Sequence, residues 1–430
     1  MSSSWVQSKT KQQRYLQRRA ESSDLYRVVY HAKDELERVW EQRFQSHYGV
    51  LREEVKSTLE AYLDCGILVH GAARAACEKC KHSILVAFSC KKRGVCGSCA
   101  TKRALIFAEN LHENILEAVP QRHVVFSIPK RLRVYFRYDR SLHQVLFRAA
   151  WESISQLYTS VEPGAAAAAV LSVHTSGDAL NHNPHVHGVV ADGVFAGSGF
   201  KPLPKLSSEK LTKLFMHKVL KSLKGRGLIT DTVIAQIKCQ KHSGFSAWVG
   251  DAIEPKDSDA RLFVSRYIDK GPVATSRVEL DGDVVSYLHD SDFHPAAEFD
   301  PLEFLAAVSV QIPNKWEQLT RHYGYYSTRK RGERKQQQIA EPQELVILEP
   351  VPKRKATPTW ASLIKKVYNV DPLLCPKCGS NMKVVAFITD SREITKIMKH
   401  LNVPPYRAPP PIQYVTPEPE LEYDPYLNAA

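Results

Sequence analysis

Between Asp24 and Leu63 apolar residues return every three or four positions, at Leu25, Val28, Val29, Leu36, Val39, Trp40 and Phe44, with charges between them. That period predicts two amphipathic helices. From Gln121 the pattern shortens to β-rich runs, His123 to Ile128 and Val170 to His174, separated by helical stretches such as Ser141 to Leu157. Pro184 to Val190 reads as a strand that closes on the turn pair Asp192-Gly193. The segment DSDARLFVSRYIDKGP predicts a helix starting near Ser258 or Asp259 and stopping at Gly271-Pro272. Phe263, Tyr267 and Lys270 then share one face. Strands and helices without regular alternation indicate an α+β fold.

After Tyr326 the text turns polar and basic (STRKRGERKQQQ), then proline-bearing, as expected of a linker holding at most one short strand. A small unit is expected from Trp360 to Leu401, and a Pro-rich, finally acidic tail with little fixed structure after it. The expected organisation is helical over 1–64, a zinc-binding module over 65–103, and a catalytic domain over 104–326. A basic linker (327–358), a small C-terminal unit (359–402) and the tail (403–430) follow. No internal repeat is visible.

Composition narrows the class. A chain of 430 residues holds two or three domains. Its formal charge of +13, from 59 Lys and Arg against 46 Asp and Glu, favours a polyanionic partner such as nucleic acid. No apolar run reaches the roughly 18 residues that a membrane helix needs; Ala165 to Val170 is too short and reads as buried structure. The N-terminus is basic and polar, unlike a secretory signal. Of the nine cysteines, six fall between Cys65 and Cys99, two form Cys375-x-x-Cys378, and Cys239 stands alone. Thiols clustered in this way point to metal binding in a reducing, cytoplasmic compartment.

Cys77-x-x-Cys80 and Cys96-x-x-Cys99 have the spacing of two knuckles that place four thiolates around one Zn²⁺. Cys65, His70, His82 and Cys90 lie nearby as material for a partial second site. Cys375 and Cys378 form half a ribbon with no obvious other half, to which His400 would add only a third ligand. Lys79, Lys81, Lys91, Lys92, Arg93, Lys102 and Arg103 make this region basic, which suits a zinc module that grips DNA.

Four histidines, His174, His182, His185 and His187, lie in one segment. On a strand, His185 and His187 point to the same face and can bind one cation. A phenol that breaks a phosphodiester needs such a cation to draw charge from the scissile phosphate. A free tyrosine titrates near ~10, so a nearby Lys helps its phenolate form. Tyr267 with Lys270 supplies that pair.

NPHVHGVV matches a His-hydrophobe-His (HUH) motif, and YIDK resembles the tyrosine-x-x-lysine motif of rolling-circle nucleases. EAYLDCGILVHGAARAACEKC, LVAFSCKKRGVCGSCATKRA, HVVFSIPKRLR, HSGFSAWVG, FVSRYIDKGPVA, RHYGYYS and DPLLCPKCGSNMKVVAFI then follow in order. On these motifs the chain resembles transposases of the IS91 type and their insertion-sequence common-region relatives. The resemblance implies an antiparallel HUH sheet with the histidines on its central strand and the tyrosine helix packed across them. It implies Tyr267 as nucleophile beside Mg²⁺ or Mn²⁺ on His185 and His187, with His174, then His182, as candidate third ligand. It further implies a 5′-phosphotyrosine intermediate, single-stranded or hairpin element ends and target DNA as partners, and possible use of host replication. Arg266 and Lys270, with Lys91, Lys92 and Arg93, are the expected DNA contacts.

Some relatives carry two tyrosines four residues apart on this helix. Phe263 occupies the first of those positions, so the chain resembles the single-tyrosine branch. The family's Cys-Pro-Ser-Cys knuckle stands here as Cys96-Gly97-Ser98-Cys99. Rival readings are a plasmid replication initiator or relaxase with the same chemistry, and a non-catalytic zinc-dependent DNA-binding regulator.

Overall fold

The computed structural model describes residues 19–197, 199–289, 295–340 (backbone alone at 338–340) and 373–412. The basic leader, most of the proline-bearing linker, the start of the small C-terminal unit and the acidic end of the tail lie outside the described residues. The expected α+β class is what the chain adopts.

The N-terminal pattern resolves into α1 (Asp24–Arg43), a single turn α2 (Gln45–Tyr48) and α3 (Glu53–Asp64). Ser23 caps α1 by accepting from the Tyr26 amide. A hairpin of β1 (Ala72–Cys77) and β2 (Ser83–Ala87) leads into α4 (Gly97–Asn114). Then come β3 (Gln121–Ser127), α5 (Lys130–Tyr138), α6 (His143–Val161), β4 (Ala168–Ser176) and β5 (His182–Ala191). A small hairpin, β6 (Gly193–Ala196) with β7 (Gly199–Pro202), precedes α7 (Ser208–Gly225), α8 (Asp231–Cys239) and β8 (Ser246–Ile253). The tyrosine helix is α9 (Ser258–Ile268), capped by Asp257. It is followed by β9 (Val278–Asp281), β10 (Val284–Tyr287), β11 (Ala297–Phe299), α10 (Pro301–Gln311), β12 (Thr320–Gly324) and α11 (Thr328–Ala340). β13 (Met382–Ile388) and α12 (Ser391–His400) end the described secondary structure.

The centre of the molecule is a five-stranded antiparallel sheet in the order β12-β4-β5-β3-β8, with β5 in the middle. Directly paired residues share a face. One face carries Val124, Phe126, Leu171, Val173, Val186 and Val190, buried against α5, α6 and α7 in the largest apolar cluster. Each such side chain contributes about 1.5–3 kcal/mol. The opposite face carries His123, His174, His185 and His187 and is covered by α4 and α9 through Leu111, Val264 and Ile268. Gly188 sits between the two faces' demands. A Cβ there would come within 2.4 Å of the Leu171 side chain and 3.1 Å of that of Val124, so any larger residue must displace packed core side chains.

Four expectations change. The N-terminal helices do not pack by themselves: α1 shares its core with α10 and with the β9–β10 hairpin. The basic run after Tyr326, expected as linker, begins as α11. Its arginines are held by the turn just before it and by one distant residue: the Arg334 guanidinium lies 3.6 Å from the Tyr325 ring centroid and 3.7 Å from the Glu117 carboxylate, and Arg331 donates to the Tyr326 carbonyl. The C-terminal strand β13 does not form a separate unit either, because it pairs with β1 to complete a three-stranded sheet, β13-β1-β2. The first residues of the expected tail also have a place, with Tyr406 and Tyr26 hydroxyls 3.1 Å apart and His31 donating to the Pro410 carbonyl. Among the described residues no helix is long and apolar enough to cross a membrane.

Candidate active site and cysteine clusters

The site face of the sheet is set by register. His185 and His187 alternate on β5, and His174 on β4 stands directly opposite His185. One ring nitrogen from each lies within 4.8 Å of the others. The remaining nitrogens are committed to the protein. His174 Nε2 faces the Ile268 carbonyl at 2.8 Å, His185 Nδ1 faces the Asn183 carbonyl at 2.6 Å, and His187 Nδ1 lies 3.0 Å from His123 Nε2. Each ring therefore has its orientation fixed and one nitrogen left over, which is how histidine ligands are held around a cation. Burial holds all three below the ordinary imidazole value, His174 at about 3, so they are neutral, as ligands must be. The donor set fits a divalent cation.

His174, the first candidate for third ligand, stands in the cluster. His182 does not. It is buried at the start of β5, and neither of its ring nitrogens has a hydrogen-bond partner. His123 was not singled out from the sequence. Its text, QRHVVFS, signals only a strand, and its role depends on β3 pairing with β5.

Tyr267, on the last turn of α9, reaches over this cluster. Its ring centroid lies 5.2 Å from that of His187 and 5.8 Å from that of His123, both edge-on. Lys270 Nζ is 5.6 Å from the same centroid. The helix is held by buried Ile268 and by Arg103 of α4, whose Nε donates to Asp269 at 2.8 Å. Gly271 allows the close approach: a Cβ there would sit 2.7 Å from that of Ala100. Tyr267 borders a cleft of about 210 Å³ that also reaches His174, His185 and Lys270. On its other side a groove of about 1320 Å³ runs between α4 and α9, lined by Phe263, Arg266 and Lys270. Phe263, at the position of the missing tyrosine, is 68% exposed and stacked on Tyr267 with centroids 6.4 Å apart. Trp248 is exposed on the other flank, edge-on to His123.

The expected DNA contacts divide. Lys91 is exposed, and Arg266 and Lys270 are exposed at the groove. Lys92 lies 3.4 Å from the Ser57 hydroxyl. Arg93 turns inward, donating to the carbonyls of Glu317 and Asn314, so its guanidinium is used within the fold.

The cysteines sort differently from their spacing. Cys77, Cys80, Cys96 and Cys99 do not surround one point. Cys96 and Cys99 join Cys65 and Cys90, while Cys77 and Cys80 join Cys375 and Cys378. In the first group neighbouring sulfurs lie 3.6 to 3.8 Å apart. Cys96 stands just before α4 and Cys99 lies in its first turn, where the helix dipole favours thiolate. A hydrogen bond from the Cys65 thiol, then one from Cys90, holds Cys99 down at about 7. His70 is outside both groups, beside Asp64 and Tyr406, and neither His82 nor exposed His400 joins either one.

Two family models match the chain in succession. Residues 35–128 match a "Transposase zinc-binding domain", and residues 168–334 match a model described as "Putative transposase". The chain belongs to the IS91-type transposases. It is 27% identical to the transposase for insertion sequence element IS801 of Pseudomonas savastanoi pv. phaseolicola, over 79% of this chain and 86% of that one. It is 22% identical to the "Putative transposase y4qJ" of Sinorhizobium fredii, over 81% of this chain and 92% of that one. No solved structure matches. A transposase acts on DNA, and the first cysteine group lies wholly inside the zinc-binding match. The plasmid-initiator and relaxase readings give way to this one.

Proposed function

We propose that this transposase is an HUH enzyme that nicks and joins single-stranded DNA at the ends of its own mobile element. The observation that carries the reading is the placement of one tyrosine ring beside three imidazoles that each keep one nitrogen free. A divalent cation held by His174, His185 and His187, Mg²⁺ or Mn²⁺, supplies the positive charge that a phosphorus centre under attack requires. Three imidazoles without a carboxylate favour Mn²⁺ of the two.

Tyr267 attacks the phosphorus of the scissile phosphodiester. A tyrosine–phosphorus bond forms, the bond to the 3′-oxygen breaks, and that oxygen takes up a proton. The products are a 5′-phosphotyrosine and a free 3′-OH, which host replication can extend. The linkage keeps the bond energy for transfer to target DNA. Lys270, near the ring, offsets the phenolate or phosphate charge. His123 orients His187. Phe263 and Trp248 offer faces on which unstacked bases of a single strand or hairpin can lie, and Arg266 lines the backbone path.

Incubating the protein with a single-stranded element end tests the reading through the ends it leaves. With Mn²⁺ the 3′ fragment should carry protein on its 5′ end, and the 5′ fragment should prime a polymerase directly. A free 5′-phosphate on the 3′ fragment, with no protein attached, would point to hydrolysis instead.

A further inference from the structure

Cys375 and Cys378 lie far outside the matched zinc-binding region, yet they meet Cys77 and Cys80 in space. Cys77 Sγ is 3.5 Å from Cys378 Sγ, Cys80 Sγ is 3.4 Å from Cys375 Sγ, and all four lie within 4.8 Å of one another. Proximity alone does not make a metal site; the backbone adds a second observation. The two Cys-x-x-Cys turns are built alike.

In one turn the Cys77 amide donates to the His82 carbonyl at 2.8 Å, and the Lys81 amide donates to the Cys77 carbonyl at 3.0 Å. In the other the Cys375 amide donates to the Ser380 carbonyl at 2.8 Å, and the Gly379 amide donates to the Cys375 carbonyl at 2.9 Å. The residue after the second cysteine has positive φ in both, 60° at Lys81 and 68° at Gly379. That conformation is costly for lysine, so something must hold the first turn in it. Each turn also borders a strand: β1 ends at Cys77, β13 begins at Met382, and those two residues are register partners. Two like turns face each other across an antiparallel pair, with their sulfurs aimed at one point.

We propose that Cys77, Cys80, Cys375 and Cys378 bind a second zinc ion, and that this ion fastens the C-terminal segment to the N-terminal hairpin. Four sulfurs and no oxygen suit zinc over Mg²⁺ or Mn²⁺. The apolar support around this sheet is small: Leu68, Ala72 and Leu85 pack with Ile394 and Met398 of α12, and Ala75 and Met382 lie buried beside the cysteines. A core of that size needs a staple, and a structural zinc supplies folding free energy directly. The zinc module is thus discontinuous, assembled from the two ends of the described chain. This inference does not depend on the nuclease reading above.

The test is zinc content of the purified full-length protein by elemental analysis under reducing conditions. Wild type should carry two zinc ions per chain. Cys375→Ser/Cys378→Ser should carry one, Cys77→Ser/Cys80→Ser one, and the fourfold combination still one, because both pairs serve the same ion. If a serine variant fails to fold, Co²⁺ titration of the wild type should show thiolate charge-transfer absorbance saturating at two equivalents. A protease site inserted between residues 340 and 373 reads the fastening itself. After cutting, the wild-type fragments should co-elute and the Cys375→Ser/Cys378→Ser fragments should separate. One zinc in the wild type, disulfides at these four positions in the protein as purified, or variant fragments that stay together would each overturn the proposal.

Discussion

His185 and His187 were legible because a strand puts alternate residues on one face, a rule that needs no tertiary information. His174 needed sheet register, and His123 needed both register and a partner already in place. Their effects should be graded. His185→Ala or His187→Ala should abolish cleavage, a loss of several kcal/mol in barrier terms. His123→Ala should leave cleavage present and weaken metal affinity by about 10- to 100-fold, read by titrating Mn²⁺. His182 offers a separate test by pH. Burial, then the charges of His143 and Arg140, hold it at about 3, so it is neutral in the fold and takes up a proton only on unfolding. Its contribution is whole above the ordinary value of about 6.5 and is lost as pH falls toward 3. Denaturant melts from pH 7 to pH 4 should therefore fall less steeply for His182→Gln, by up to about 1.4 kcal/mol per pH unit. Equal slopes for the two proteins would mean that His182 is not held neutral.

Elements with a clear period were readable from sequence, and those fixed by distant partners were not. The helices at Asp24–Arg43 and Ser258–Ile268 carry apolar stripes and caps. Thr328–Ala340 carries a charge run with no apolar stripe, and its Arg334 is paired with Glu117, more than two hundred residues earlier in the chain. A Cys-x-x-Cys turn announces that it will aim two sulfurs but not where the other two lie, so sequence spacing paired the wrong knuckles. The tyrosine helix shows how an element transmits its packing to chemistry. Ile268 is fully buried one residue after Tyr267, and its carbonyl meets His174. Ile268→Ala should cost about 2–5 kcal/mol of stability. It should also slow cleavage in conditions where the protein remains folded, measured by denaturation and single-turnover assays side by side. Normal cleavage in a destabilised protein would mean that the helix position is not set from beneath.

At the scale of the molecule, the cysteine group of Cys65, Cys90, Cys96 and Cys99 begins α4, α4 holds α9 through Arg103 and Asp269, and α9 carries Tyr267. Zinc is thereby mechanically linked to the active site without touching it. The basic excess, with Arg266 and Lys270 along the groove, predicts that affinity for single-stranded DNA falls steeply with salt, by a log–log slope of about −0.7 for each phosphate neutralised. A slope near zero would remove the groove from consideration as the DNA path. The central claim is that Tyr267 is the nucleophile, and it is tested most directly by trapping its product. Wild-type protein incubated with a single-stranded element end and Mn²⁺ should yield a protein–DNA adduct that survives denaturation, with the nucleotide mapped to Tyr267 by mass spectrometry. Tyr267→Phe should form no adduct while still binding the same DNA, and phenylalanine at Tyr287, Tyr323, Tyr325 or Tyr326 should leave adduct formation in place. An adduct from the Tyr267→Phe protein would contradict the account.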